Sequence, residues 1–589
     1  MMGTLLLAGC SAQRTGDAAE TQAASAGSEN TITLSGSTAS CSNANVKIDG
    51  STIKITGAGT YELTGTLDDG MVVVDAGDED DVEMVLNNAS ITSGTSAAIY
   101  IANCDDAAIT LASGSENILA NGGSFEAIDE KNIDGVVYAT KDLTLSGDGS
   151  LAVTSPAGHG IVAKDDLTVE GGTYTITAAS HGVTAKDNAL LESGSFTIEA
   201  GKDGIHCENA DDETLGNLTV SGGSYAITAE GDGVSASGFL TVADGLFDVT
   251  AGGGSASVTH TDGGFGWNGQ TANTDSASAK GLKAGGDLTV TGGTITVDSA
   301  DDALHSNANV TISGGEVTLS SGDDGIHADG NTAVEAGTIT IPASYEGIEG
   351  QTITISGGAI SVVSSDDGLN AAGGNDASGS GGFFGGNPFD SDASAEILIE
   401  GGTLYVNAGG DGIDSNGAIT MTGGQVFVSG PTNSGNGALD YGISATITGG
   451  TIVAAGASGM AENFTSAEGQ GVMLVSTGAQ AAGSTIQLTD ASGNVLLTWE
   501  ADKAFECVVI STPDVQQGGT YTLTAGTSTQ TVEMTSAVYG GGMGMGGMGQ
   551  MGGQMMGQPS QMGQPGQMGQ GGQPGQMGGG RPGGGMGRP

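Results

Sequence analysis

The chain has 589 residues, of which 110 are glycine and 4% are aromatic, and its formal net charge is −55. That charge excludes nucleic acid and anionic membrane surfaces as natural partners, and favours cations or a polymer bridged through cations. The length is too great for one compact core, whereas this composition suits a narrow stack of coils growing along its axis.

In chain order, residues 1–10 (MMGTLLLAGC) end in Leu7-Ala-Gly-Cys10, a lipobox-like sequence that makes Cys10 the expected lipidation site, although the usual basic start is missing. Residues 11–30 read as a polar tether. No segment is long enough to span a bilayer. Membrane attachment is therefore expected through the lipid alone, at the extracellular face of a bacterial membrane. Residues 31–134 read as N-terminal coils and a cap, because a solenoid end must cover its core. Residues 135–467 form the regular region, with insertions near 252–279 and 373–394, and residues 468–536 have longer strands spaced as in a small β-sandwich domain. The tail, 537–589, is nearly all Gly, Met, Gln and Pro and is expected to be disordered. Its methionines suit soft metals such as Cu(I), or are low-complexity drift. Cys41, Cys104, Cys207 and Cys507 lack metal-ligand spacing and give no basis for pairing.

The regular region repeats one phrase, clearest as Ser321-Gly-Asp-Asp-Gly-Ile-His-Ala-Asp329. Its small residue falls at 160, 182 and 204, then at 281, 303, 325, 347 and 368, a period of 22 with one step of 21. Between phrases come short alternating runs broken by Gly pairs, such as Asn309-Val-Thr-Ile-Ser-Gly-Gly-Glu-Val-Thr-Leu319. Three short strands fit in one period and no helix does. The expected fold is all-β, a parallel β-helix, right-handed by the crossover rule.

Strand alternation makes Ile205, Val234, Leu282, Leu304, Ile326, Ile348, Leu369 and Ile413 an inward ladder. The residue two before each points outward and forms a column from His159 and His181 through Asp203, Asp232, Lys280, Asp302, Asp324, Glu346 and Asp367 to Asp411. The residue after each forms a second column: His206, Lys283, His305, His327, Glu349, Asn370, Asp414. Two bare carboxylates on neighbouring coils, about 4.8 Å apart, repel by roughly 3 kcal/mol at an effective dielectric of 20. No Lys or Arg occurs from Ala284 to Asp502, while 18 acidic residues lie between Asp301 and Asn416. A hard divalent cation is the natural counter-ion, and Ca²⁺ suits irregular carboxylate coordination. The candidate ligands are Asp301, Asp302, Asp323, Asp324, Glu346, Asp366 and Asp367, followed by Asp329, Glu349, Asp411 and Asp414. The competing explanation is plain turn chemistry, with Asp-Gly carboxylates solvated on the outer face. His206, His305 and His327 are expected to hydrogen-bond to neighbouring Asp rather than bind a transition metal.

The lipobox, the Asp-Asp-Gly-Ile-His coils, Gly59-Thr-Tyr-Glu-Leu-Thr-Gly65 and the Gly-rich insertions resemble the bacterial carbohydrate-binding parallel β-helix family. The resemblance covers roughly 31–530. It implies a surface lipoprotein that binds cellulose and acidic pectin (polygalacturonate), carries calcium and is related in fold to polysaccharide lyases. Asp301–Asp302, Asp323–Asp324 and Asp366–Asp367 match that family's acidic coil positions.

Three functions follow. The first is non-catalytic binding of acidic polysaccharide by a monomer, with Ca²⁺ bridging Asp columns to uronate carboxylates and Trp267, Phe383 and Phe384 stacking on sugars. The second is a lyase or hydrolase. A lyase needs a base near the calcium, yet the arginines are Arg14, Arg581 and Arg588, and no lysine lies in the most acidic coils. Paired carboxylates would serve a hydrolase, but the motifs Gly158-His-Gly160 and Asn273-Thr-Asp275 occur in the wrong order. The third is a calcium-rigidified adhesin or stalk that binds no saccharide.

Overall fold

A computed structural model describes residues 29–126, 128–259, 278–372 and 391–541. Cys10, Trp267, Phe383, Phe384 and the tail beyond 541 lie outside these residues.

The chain folds as a parallel β-helix with three strands per coil. In one coil these are Ile326–Ala328, Asn331–Val334 and Thr338–Ser344. Each pairs in parallel with its counterpart one coil on, through Ile326↔Ile348, Thr332↔Ile353 and Ile339↔Ile360. The resulting three faces are called here the first, second and third sheets, in that order. Among the described residues the helical content is one 3₁₀ turn, Ser255–Ser257.

The strands are short because each needs only enough alternation to send one or two apolar side chains inward. The inward ladder of the first sheet runs in unbroken register from Ile205 to Ile413, with every member buried. In the third sheet Tyr174, Phe196, Tyr225 and Phe247 stack one per coil inside the core, with ring centroids 4.6, 5.6 and 4.7 Å apart. Such aromatic stacks add packing beyond the area they bury.

The small residue before each ladder position has a steric cause. A Cβ on Gly347 would lie 2.2 Å from the Gly368 carbonyl oxygen and 2.3 Å from Val362 Cγ1. The corner therefore closes tightly onto the next coil and the third sheet. Ala303 is the single methyl admitted in the 22-residue series.

Two antiparallel pairings stand at the N-terminal end, Thr31–Gly36 with Thr38–Ser40 and Val46–Asp49 with Thr52–Ile55. Near the other end, Phe505–Thr512 pairs antiparallel with Thr451–Gly456 of the last coil and with Gly471–Gln480. A four-stranded antiparallel sheet, 485–490, 495–500, 520–525 and 528–533, packs over that extension around Ile486, Phe505, Ile510 and Leu523. The C-terminal β layer is thus grafted directly onto the solenoid's sheet.

Candidate cation-binding column

The Asp-Gly corner places one polar side chain per coil at the edge of the first sheet, and the helix stacks these along its axis. Their carboxylates have a structural duty. Asp203 Oδ1 accepts the backbone N–H of Asp232 at 2.9 Å, Asp232 Oδ1 that of Lys280 at 2.8 Å, and Asp302 Oδ1 that of Asp324 at 3.1 Å. Asp367 Oδ1 accepts the N–H of Asp411 at 2.5 Å, and Asp411 Oδ1 accepts that of Gly437. One oxygen of each of these five Asp residues therefore ties two coils together, and the second oxygen remains for other chemistry.

The columns are largely buried, which counts against the competing explanation of solvated outer-face carboxylates. Asp302 and Asp324 are each 1% exposed and His327 is 0% exposed. Buried charge requires pairing, and the N-terminal half of the column supplies it from the chain itself. Lys283 Nζ lies 3.1 Å from Asp232 Oδ2. Lys280 Nζ lies 2.9 Å from Asp301 Oδ1 and 2.7 Å from Asp302 Oδ2, and His305 Nδ1 lies 2.8 Å from the same Asp302 oxygen. Burial alone would raise Asp302, but His305 and Lys280 hold it below the usual carboxylate range. This corrects the expectation that the chain lacks counter-charge here. Lys280 stands just before the Lys-free stretch and reaches forward one coil.

His305 and His327 hydrogen-bond to neighbouring aspartates, as expected, whereas His206 hydrogen-bonds to Glu208. His206 Nδ1 lies 2.7 Å from Asp203 Oδ2 and Nε2 lies 3.0 Å from Glu208 Oε2. His327 lies between Asp324 Oδ2 at 3.0 Å and Glu349 Oε2 at 2.7 Å, with Asp329 Oδ1 at 3.3 Å from its other nitrogen. Burial opposes protonation of His327, but hydrogen bonds to Asp324 and Glu349 and the charge of Asp302 push it up to about 12. Its imidazole also stacks on His305, centroids 4.9 Å apart.

Beyond Glu349 this pairing stops. Among the described residues, no Lys, Arg or His forms an ion pair with Glu346, Asp366, Asp367, Asp411, Asp414, Asp440 or Glu462. Oxygens of Asp367, Asp411 and Asp414 lie within 4.8 Å of one another. Burial, then Asp414 and Asp411, raises Asp367, and burial with Asp411 and Asp440 raises Asp414. Burial pushes Asp411 up to about 7 against the Gly437 amide, and with Glu349 it pushes Glu346 up to about 8. Glu462 is raised to about 7 by burial and Asp440. Two nine-tenths-buried residues nearby have an oxygen without a partner, Asn370 Oδ1 and Glu462 Oε2. The donor set is all oxygen, which fits a hard divalent cation.

The eleven expected ligands therefore separate into groups. Asp301, Asp302 and Asp323 come together, and Lys280 pairs with the first two. Asp324 and Glu349 meet at His327, with Asp329 half-exposed beside them. Asp367, Asp411 and Asp414 converge without a basic partner among the described residues. Glu346 stands one coil before them, hydrogen-bonded by Asn370 at 2.8 Å, and the Asp366 carboxylate faces Tyr345. Sequence reasoning missed Asp440 and Glu462. Asp440 sits in register with Asp414, and Gly437-Ala-Leu-Asp440 preserves the small–aliphatic–acidic phrase that could have revealed it.

Comparison with known proteins finds a family model described as carbohydrate-binding domain-containing protein, matching residues 49–325. A carbohydrate-binding domain-containing protein of Acetivibrio thermocellus is 35% identical over 126 residues, 21% of this chain and 44% of that protein. The chain thus aligns with less than half of that relative's length. A solved structure described as a gadolinium derivative of the polysaccharide lyase-like protein from C. thermocellum is 30% identical. It covers 37% of this chain and 89% of its own, with a TM-score of 0.36. The segment matched by the family model, residues 49–325, ends one coil before Glu346.

Proposed function

We propose that the protein is a non-catalytic, calcium-dependent binder of acidic polysaccharide of the polygalacturonate or pectin type, lipid-anchored through Cys10 at the outer face of a bacterial membrane. The family match supports a carbohydrate as the ligand. The observation that carries the calcium requirement is the convergence of Asp367, Asp411 and Asp414, with Asp440, Glu462 and the free Asn370 oxygen beside them, and no basic side chain among the described residues paired to them. These residues would hold Ca²⁺, which supplies the positive charge that a chain of −55 needs to engage a polyanion. The column's backbone-capping Asp oxygens keep the acidic group in place before any ligand arrives. Trp267, Phe383 and Phe384 belong to the same proposal as sugar-stacking residues.

A binding role is favoured over β-elimination because the column's lysines are engaged. Lys280 is buried between Asp301 and Asp302, and Lys283 pairs with Asp232. Calorimetric titration with oligogalacturonate, in calcium and again in EDTA, tests the reading, together with the ultraviolet absorbance of unsaturated products. Calcium-dependent heat without new absorbance is expected. Rising absorbance would mean a lyase, and absence of binding in both conditions would leave a structural stalk.

A further inference from the structure

The third sheet ends in an aromatic row. Tyr405 is stacked on Phe427 with centroids 5.0 Å apart, and Phe427 meets Trp499 of the C-terminal sheet at 5.9 Å. The two strand residues are register partners on the outward side of their strands. Phe427 is covered, at 8% exposure, whereas Tyr405 is left 47% exposed. A tyrosine ring that is backed by a second ring and left half-exposed is a preformed stacking surface.

The surroundings of Tyr405 indicate what it receives. Its outward neighbours on the preceding coils are Ser361 and then Thr340, a row of hydroxyls in direct register. Val363, one outward position further along its strand, is 40% exposed. The four strands here, 338–344, 359–364, 403–408 and 425–429, contain no charged residue. In a chain of net charge −55, an uncharged strip is the place where a ligand needs no cation. An apolar ring face flanked by hydroxyls matches a pyranose, which has an apolar C–H face and hydroxyls around its rim.

We propose that Tyr405, backed by Phe427 and Trp499 and extended by Ser361 and Thr340, is a calcium-independent subsite for a neutral glycan chain. It shares with the reading above only the carbohydrate nature of the ligand. It uses other residues, on a different sheet from the Asp column. It also lies outside residues 49–325, the segment shared with the matched family.

The test titrates the full chain with cellohexaose, a neutral β-linked glucan, in EDTA. Binding is expected in EDTA, with Tyr405→Ala weakening it at least about tenfold, the scale of a truncated aromatic anchor. Tyr405→Phe should keep it. Tyr405 is half-exposed, so its truncation leaves the core intact, and calorimetry reads the affinity directly. Unchanged affinity in Tyr405→Ala, a requirement for calcium, or no binding of cellohexaose would each overturn the subsite. Oligogalacturonate titrated with calcium into the same proteins, alongside Asp414→Asn, reports on the acidic-glycan reading independently. That reading survives if Tyr405→Ala leaves the calcium-dependent heat intact.

Discussion

His327 holds Glu349 of the next coil at 2.7 Å, and it is the last basic side chain of the stacked columns among the described residues. On its N-terminal side buried carboxylates meet Lys or His. On its C-terminal side they meet one another. Replacing His327 with Gln should leave Asp324 and Glu349 buried and facing without a cation. Breaking a buried pair in this way costs about 3–5 kcal/mol. A lower denaturant midpoint in urea unfolding is the expected result, and an unchanged midpoint would show that the imidazole is not charged.

Lys280 is the second such clamp, and its role is separable from that of calcium. Lys280→Met should destabilise the fold by a similar amount, about 3–5 kcal/mol, because Asp302 stays buried while losing its ammonium. Adding Asp302→Asn to that variant should restore much of the loss, since the amide carries no charge to desolvate. Unfolding midpoints of the two single variants and the double variant make a cycle in which a coupling near zero would refute the pairing.

For the C-terminal group the expected sign is reversed. Asp414→Asn removes one of several mutually repelling carboxylates, so the metal-free protein should melt at a higher temperature than the unmodified chain in EDTA. Calcium should stabilise the unmodified protein, by about 2.7 kcal/mol at a free concentration one hundred times its Kd. The Asn variant should lose most of that increment. Thermal melts in EDTA and calcium provide all four values, and an equal calcium increment in both proteins would remove Asp414 from the site.

The period, the inward ladder and the position of the columns were legible because each rests on a local rule. Alternation sends Ile326 inward, and the crowded corner admits only Gly or Ala at 303, 325 and 347. The pairing of Lys280 with Asp302 was hidden because a long side chain reaches along the axis, and spacing does not say in which direction it leans. Asp440 escaped because the coil between Asp414 and Asp440 carries an extra loop around Pro431–Gly437 and breaks the period. The exposed Tyr405 was hidden for a different reason. Strand alternation says that it faces outward, but only the packed C-terminal sheet shows which outward ring is covered and which is left open.

The acidic group also sets a pH dependence whose sign can be worked out. Glu346, Asp411 and Glu462 have folded values of about 8, 7 and 7, against ordinary values of 4.5, 3.8 and 4.5. Groups raised in the folded state bind protons there while the unfolded chain has already released them. Stability of the metal-free protein should therefore be greatest near the ordinary carboxylate values and fall as pH rises from about 4 towards about 8. Calcium competes for the same oxygens, so its affinity should climb over that interval and its presence should flatten the decline. Urea unfolding from pH 4 to 8, in EDTA and in calcium, checks both halves. A metal-free protein that gains stability across this range would mean that these carboxylates are already compensated within the chain, and the cation site would lose its physical basis.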